Sequence, residues 1–358
     1  MEPTWSMRPY TNGDEEGVFD LWKEVYPQRQ YDREQWLRWW RWLYQDNPSG
    51  EGLIWLAEHN GKIVGQLGFV PVVMEIAGKT ALGAQVLDAM IHPAYRRQKI
   101  FDTLARKVMH ESKEKGMFIL YALPNQFSHP GARKLNWLDI ASLPVMVKPF
   151  NWRKTLKSKV NNEFLLELGA IGGGIVEHTL YRTKKAPVVP DLTISQVSTF
   201  DKRINDFWAR VSGQYQIMVV RNRDYLNWRF TAVPDTAYLI YIAEISREIC
   251  GYIIFRYIRS GDIMTALIFD ILVSSEQIAR LLISKATECC RQEKIDCVFC
   301  QIIANKAYYK AFKKCGFISL PFTKALTFCA YSNSPDISMN FLQNSKNWLA
   351  QTGDLDQI

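Results

Sequence analysis

The sequence predicts an α/β chain of the α+β kind, made of two tandem domains, each a mixed, mostly antiparallel twisted sheet flanked by helices. Three observations carry this. Residues 53–91 alternate as two successive hairpins would. Residues 85–123 run strand, helix, strand, which makes two strands parallel neighbours through a right-handed crossover. An ordered series of residues also recurs once along the chain at nearly constant spacing.

Residues 31–44 (YDREQWLRWWRWLY) predict the first helix. Asp32 is its N-cap, and Trp36, Trp39, Trp40 and Leu43 share a face at the i, i+3, i+4, i+7 spacing. Asn47-Pro48-Ser49-Gly50 ends it. The aromatic face is read as core, because helical periodicity alone accounts for it. Residues 53–58 are a strand, 59–62 (HNGK) a turn and 63–73 the return. A second turn at Ala77-Gly78-Lys79 leads to a strand over 83–91.

The stretch 85–101, QVLDAMIHPAYRRQKIF, joins that strand to the next helix through a His-Pro turn and a dense basic loop. Such a connection brings backbone amides and positive charge together, as anion sites require. The helix over 100–115 carries Ile100, Leu104 and Val108 along one side, with Phe101 and Ala105 beside them, and Gly116 caps it. The apolar run 117–123 is a buried strand ended by Pro124-Asn125. A ligand belongs at the C-terminal end of the resulting parallel pair. Residues 162–182 have helical character interrupted by Gly172-Gly173-Gly174, and 184–190 (KKAPVVP) read as a linker.

Composition narrows the classes. Hydrophobic residues make up 47% and charged residues 22% of 358, as in ordinary globular proteins. Lys and Arg exceed Asp and Glu by 44 to 36, for a net charge of +8. That excess suits an anionic ligand, without the clustering of a nucleic-acid binder. No segment is apolar enough for a membrane span, and seven cysteines beginning at Cys250 predict a reduced, cytoplasmic setting. Cys297-x-x-Cys300 lies in an alternating strand pattern with no second pair at metal spacing, so no metal is expected. Oligomeric state stays open, a homo-oligomer included.

The repeat pairs Trp40-Arg41-Trp42 with Trp228-Arg229-Phe230, Ala57-Glu58 with Ala243-Glu244, Gly65 with Gly251 and Asp88 with Asp270. It also pairs Asn125, Lys134 and Trp137 with Asn305, Lys314 and Phe317. The expected division is residues 1–150 as the candidate active domain, 151–190 as helix and linker, 191–335 as a degenerate second copy, and 336–358 as a tail. After Asp270 the second copy reads ILVSSEQIARLL, without the basic loop Tyr95-Arg96-Arg97-Gln98-Lys99.

These residues resemble the GNAT acetyltransferase superfamily, whose signature is a strand ending at a small-loop proline, R-x-x-G-x-G/A, a helix, a strand, and N-x(8)-K-x-G-[FW]. The resemblance covers 36–137, with a degenerate copy over 228–317, and is greatest to the tandem members. It implies acetyl-CoA or another acyl-CoA as cofactor, and direct attack by a small-molecule amine, an amino sugar among them, in a ternary complex. It implies that Ala89, Met90 and Ile91 offer backbone groups to the pantetheine and acetyl carbonyl. Arg96, Arg97, Gln98, Lys99, Ile100 and Phe101 would form the pyrophosphate loop, with Asn125 at the cofactor's other edge. Lys99 and Phe101 replace the signature's glycines, and Ala132 and Phe312 replace the tyrosine many members use as general acid. Those departures support an alternative, a catalytically degenerate module that binds a ligand or a partner. Asp88 is the remaining candidate for taking the amine's proton. The alternative for Asp88, favoured by the recurrence of Asp270, is a structural carboxylate that orders the strand. His92 and His129 read as turn or surface histidines.

Overall fold

The structure, a computed structural model, describes residues 5–29, 31–157, 187–303, 306–319 and 326–355. The first half runs β1 (Ser6–Pro9), α1 (Asp14–Val25), α2 (Arg33–Tyr44), β2 (Leu53–His59), β3 (Lys62–Ile76), β4 (Lys79–Ile91), α3 (Ile100–Glu114), β5 (Ile119–Ala122), α4 (His129–Lys134), β6 (Leu138–Leu143), β7 (Val145–Pro149) and α5 (Trp152–Lys157). The second runs β8 (Leu192–Val197), α6 (Arg203–Val211), β9 (Ile217–Val219), α7 (Arg223–Phe230), β10 (Leu239–Ile245), β11 (Glu248–Ser260), β12 (Ile263–Val273), α8 (Glu276–Gln292), β13 (Cys297–Gln301), α9 (Lys306–Lys314), β14 (Ile318–Ser319), β15 (Leu326–Ser332) and α10 (Met339–Gln343). The helix expected over 162–182, residues 184–186 of the linker and Asn305 lie outside the described residues. Among the described residues no helix is long and apolar enough to cross a membrane.

Two mixed sheets result. One has the order β1-β2-β3-β4-β5-β15-β6, with β9 added along the end of β3; the other is β14-β7-β13-β12-β11-β10-β8. The hairpins form as expected, β3 pairing antiparallel with β2 and β4, and the crossover through α3 makes β4 and β5 parallel. The second copy repeats this, with β12 and β13 parallel across α8.

The sheets do not follow the expected division at 150 and 335. β7 from the first half lies between β13 and β14, and β15 from the second lies between β5 and β6. Each sheet is closed by a strand of the other half. A strand needs only a backbone edge and an apolar face, so VMVKP carries no local mark of the sheet that takes it. Residues 336–355, expected as a tail, are also built in: Trp348, Leu349, Ala350 and Leu355 are buried.

Asp32 caps α2 by accepting from the Gln35 amide at 3.3 Å. Trp36, Trp40 and Leu43 are buried, as their spacing predicts, but so is Trp42 on another face. Trp42 stacks on Trp228 with centroids 5.1 Å apart. Each indole Nε1 donates to the other residue's carbonyl, at 2.9 and 3.0 Å. The contact joins Trp228 to Trp42, whereas the repeat set Trp228 against Trp40.

Candidate active site

The site is made by a bulge. The register of β3 on β4 shifts between Gln66 and Gly68, so that Asp88 and Ala89 together oppose Leu67, and Asp88 takes a φ of 49°. The added residue twists and bends β4. Its pairing with β5 runs only from Gly83–Ile119 to Gln85–Tyr121. Past that point the strands part around a cavity of about 330 Å³, lined on one side by Val86, Leu87, Asp88 and Ala89 and on the other by Ala122, Leu123, Pro124 and Asn125. Met90 and Ile91 do not line it; they pair with Gln66 and Gly65 of β3.

At the head of α3, Arg97 and Lys99 have φ of 66° and 63°. Lys99 therefore takes the left-handed conformation that glycine takes in the signature, at a cost of roughly 1–2 kcal/mol for an L-residue. Its side chain, with those of Arg96, Arg97 and Gln98, is exposed. No side chain caps α3, and the amides of a first helical turn have no intrahelical acceptor. Free amides, the positive end of the helix and the basic side chains gather positive charge at this end. His92 Nδ1 accepts from the Ala94 amide at 3.2 Å, the role of a turn histidine. Ile100 is buried. Phe101 lies over Gly131, where an added Cβ would come within 2.5 Å of the ring, so Gly131 allows α4 to close on α3.

Asp88 accepts from the Tyr44 hydroxyl at 2.8 Å. Tyr44 reaches it across Gly52 and Gly68, where a Cβ would stand 2.3 and 2.4 Å from the tyrosine. The Asn125 side chain accepts from the Phe127 and Ser128 amides at 2.9 and 3.1 Å, holding the turn into α4. Ala132 lines the cavity and brings no hydroxyl. His129 bonds Asp139 at 2.8 Å, and the Cys329 thiol donates to the same oxygen at 3.2 Å. Burial opposes ionisation of Asp139, yet these two bonds hold it below the usual carboxylate range. The three donor atoms lie within 4.8 Å of one another, with Arg133 a further 3.6 Å from Asp139 bringing positive charge to the group.

Sequence reasoning missed Tyr26 and Arg29, which reach the cavity from the end of α1 and the following turn, and Met109 on α3. The Tyr26-Pro27 break was the available signal.

The second copy closes the matching place. Ser275 caps α8 by accepting from the Ile278 amide at 3.3 Å, and Glu276 occupies its first turn. β12 and β13 pair only as far as Ile268–Cys300. Beyond, the segment 350–352 is wedged between them. Gln351 accepts from the Ile271 amide and donates to its carbonyl, both at 3.0 Å. On the other side the Ile303 amide bonds Ala350 at 2.9 Å, and the Gln301 amide bonds Thr352 at 3.2 Å. Ile271 is the counterpart of Ala89. Asp270 is fully buried, bonded to Tyr252 at 2.9 Å and to Arg221 at 3.0 Å. Arg221 also grips Asp354 at 2.7 Å. Burial raises the Asp270 carboxyl to about 6 against the pull of Arg221.

A family profile described as an acetyltransferase (GNAT) domain matches residues 6–138. The first half of the chain is a GNAT-family domain. No curated protein sequence matches the chain. Among solved structures, a GCN5-related N-acetyltransferase from Anabaena variabilis superposes with a TM-score of 0.62 at 14% identity, over 92% of this chain and 73% of its own. A probable N-acyltransferase from Enterococcus faecalis gives 0.61 at 12%, over 92% and 72%. Saccharomyces cerevisiae N-myristoyltransferase with bound myristoyl-CoA gives 0.60 at 11%, over 93% and 80%. These likenesses show a shared fold over both halves of the chain.

Proposed function

We propose that the protein is an acyl-CoA-dependent N-acyltransferase in which the first GNAT domain carries the reaction, with acetyl the smallest donor and a small-molecule amine, such as an amino sugar, as acceptor. One observation carries this reading: the cavity between β4 and β5 is lined by the Asp88–Ala89 bulge, and the uncapped, basic head of α3 begins just beyond β4. The parts fit an acyl-CoA. Arg96, Arg97, Lys99 and the first-turn amides would hold its phosphates, and the bulge backbone at Ala89 would meet its pantetheine. When bound it supplies an acyl carbon held as a thioester.

In the proposed step the amine nitrogen bonds to that carbon and the carbon–sulfur bond breaks, the sulfur leaving as thiolate. The amine's proton passes to Asp88, whose orientation the Tyr44 bond fixes. Ala132 has no proton to give the thiolate, so solvent supplies it. Tyr26 and Arg29, across the cavity from α3 and α4 residues, are proposed to border the acceptor. All seven cysteines are free thiols, which supports a cytoplasmic setting.

The test is thiol release from acetyl-CoA with a panel of amines. Release that falls on the order of a hundred-fold in Asp88→Asn supports the reading. CoA binding with no release for any amine favours the degenerate binding module instead.

A further inference from the structure

The cavity between β4 and β5 has two sections of different chemistry. Near the bulge it is bordered by Asp88, Asn125, Ser128 and strand-end backbone. Away from the bulge it runs along α3 past Ala105 to Met109, and its other walls there are Phe69, which pairs with Val86, and Leu135 and Trp137. None of those five side chains carries a charge, a carboxamide or an aliphatic hydroxyl. From Phe101, at the head of α3, to Met109 the helix advances eight residues, about 12 Å at 1.5 Å per residue.

A pantetheine arm carries two amides, and placing them against such walls would leave them without partners at a cost of roughly 1–3 kcal/mol each. The arm therefore belongs in the polar section, beside Asp88, Asn125 and Ser128. An acetyl group beyond it would leave the deep section unfilled. We infer that the deep section takes the hydrocarbon tail of the donor, so that the preferred substrate is a medium-chain acyl-CoA rather than acetyl-CoA. This rests on the acyl-CoA reading above and specifies its donor.

Length is set by the walls. Each methylene entering an apolar wall and leaving water contributes about 0.8 kcal/mol, or roughly fourfold in affinity. Affinity therefore rises stepwise from acetyl to about octanoyl, then stops rising once the tail reaches the end of the section at Met109. Ala105 is a lining position where a side chain could be added, and Met109 the stop that could be cut back.

The experiment is calorimetric titration of the full chain with CoA and its acetyl, butanoyl, hexanoyl and octanoyl thioesters. The wild type should bind octanoyl-CoA at least tenfold more tightly than acetyl-CoA. Ala105→Phe should collapse that ratio toward one, and Met109→Ala should move the optimum to a longer chain. Should Ala105→Phe fail to fold, the Met109→Ala optimum and the wild-type series still decide. Binding of CoA with affinities within twofold across the series overturns the chain-length inference and leaves the acyl-CoA reading standing. Absence of binding by CoA and by every thioester overturns both.

Discussion

The two copies of the sheet meet the same problem in opposite ways. Each parallel pair parts just before a bulge, β4 from β5 ahead of Asp88–Ala89 and β12 from β13 ahead of Phe269, and each gap exposes backbone that needs partners. In the first copy the gap is an open cavity with a basic, uncapped helix beside it. In the second, Gln351 takes both backbone groups of Ile271, Ser275 caps the helix, and Arg221 bridges Asp270 and Asp354. One fold thus shows the same gap left open in the first half and filled by its own chain in the second. Asp88 and Asp270 are counterparts with different work: Asp88 borders a cavity, whereas Asp270 is sealed in an ion network.

The closure of the second gap depends most on Arg221. Arg221→Met should cost roughly 3–5 kcal/mol in urea denaturation, because it leaves two buried carboxylates facing one another. A loss below 1 kcal/mol would mean that the network does not hold the second gap shut.

The next largest effect separates the two carboxylates. Asp88→Asn should lower kcat on the order of a hundred-fold while moving the denaturation midpoint little. Asp270→Asn should leave kcat within a few-fold and change stability instead. Asp270 also gives a pH signature. Its folded carboxyl, raised to about 6, binds protons that the unfolded chain, near 3.9, does not yet bind. Stability relative to Asp270→Asn should therefore rise as pH falls from about 6 to 4, by on the order of 2 kcal/mol, and be lost again as pH rises through 6. Denaturation curves for both proteins at stepped pH would show this, and parallel profiles would contradict it.

The smallest effect is at Lys99. With its φ at 63°, Lys99→Gly should relieve strain and raise stability by no more than about 1 kcal/mol. CoA affinity should change less than tenfold, since the helix amides remain.

How much of this could be read in the chain follows the range of the forces involved. The hairpins, the crossover, the Asp32 cap and the basic loop are local, and each was legible from alternation, turn residues and spacing. The left-handed Lys99 was not: a lysine gives no sign of positive φ, although the resemblance marked its position as glycine. The strand exchange was hidden because β7 and β15 read as strands whichever sheet receives them. The segment 350–352 was hidden for a related reason, its burial depending on an opening between β12 and β13 about fifty residues earlier. Trp42 was not among the positions the spacing marked, because a helix face directed at the other half lies off the core-facing stripe.

On the proposed reading only the first gap accepts an acyl-CoA. Its most direct measurement is the calorimetric stoichiometry of CoA on the full chain and on Ala122→Phe, which places a ring at the end of β5. One CoA per chain is expected, abolished by that substitution; two per chain, or one that survives it, would overturn the assignment to the first gap.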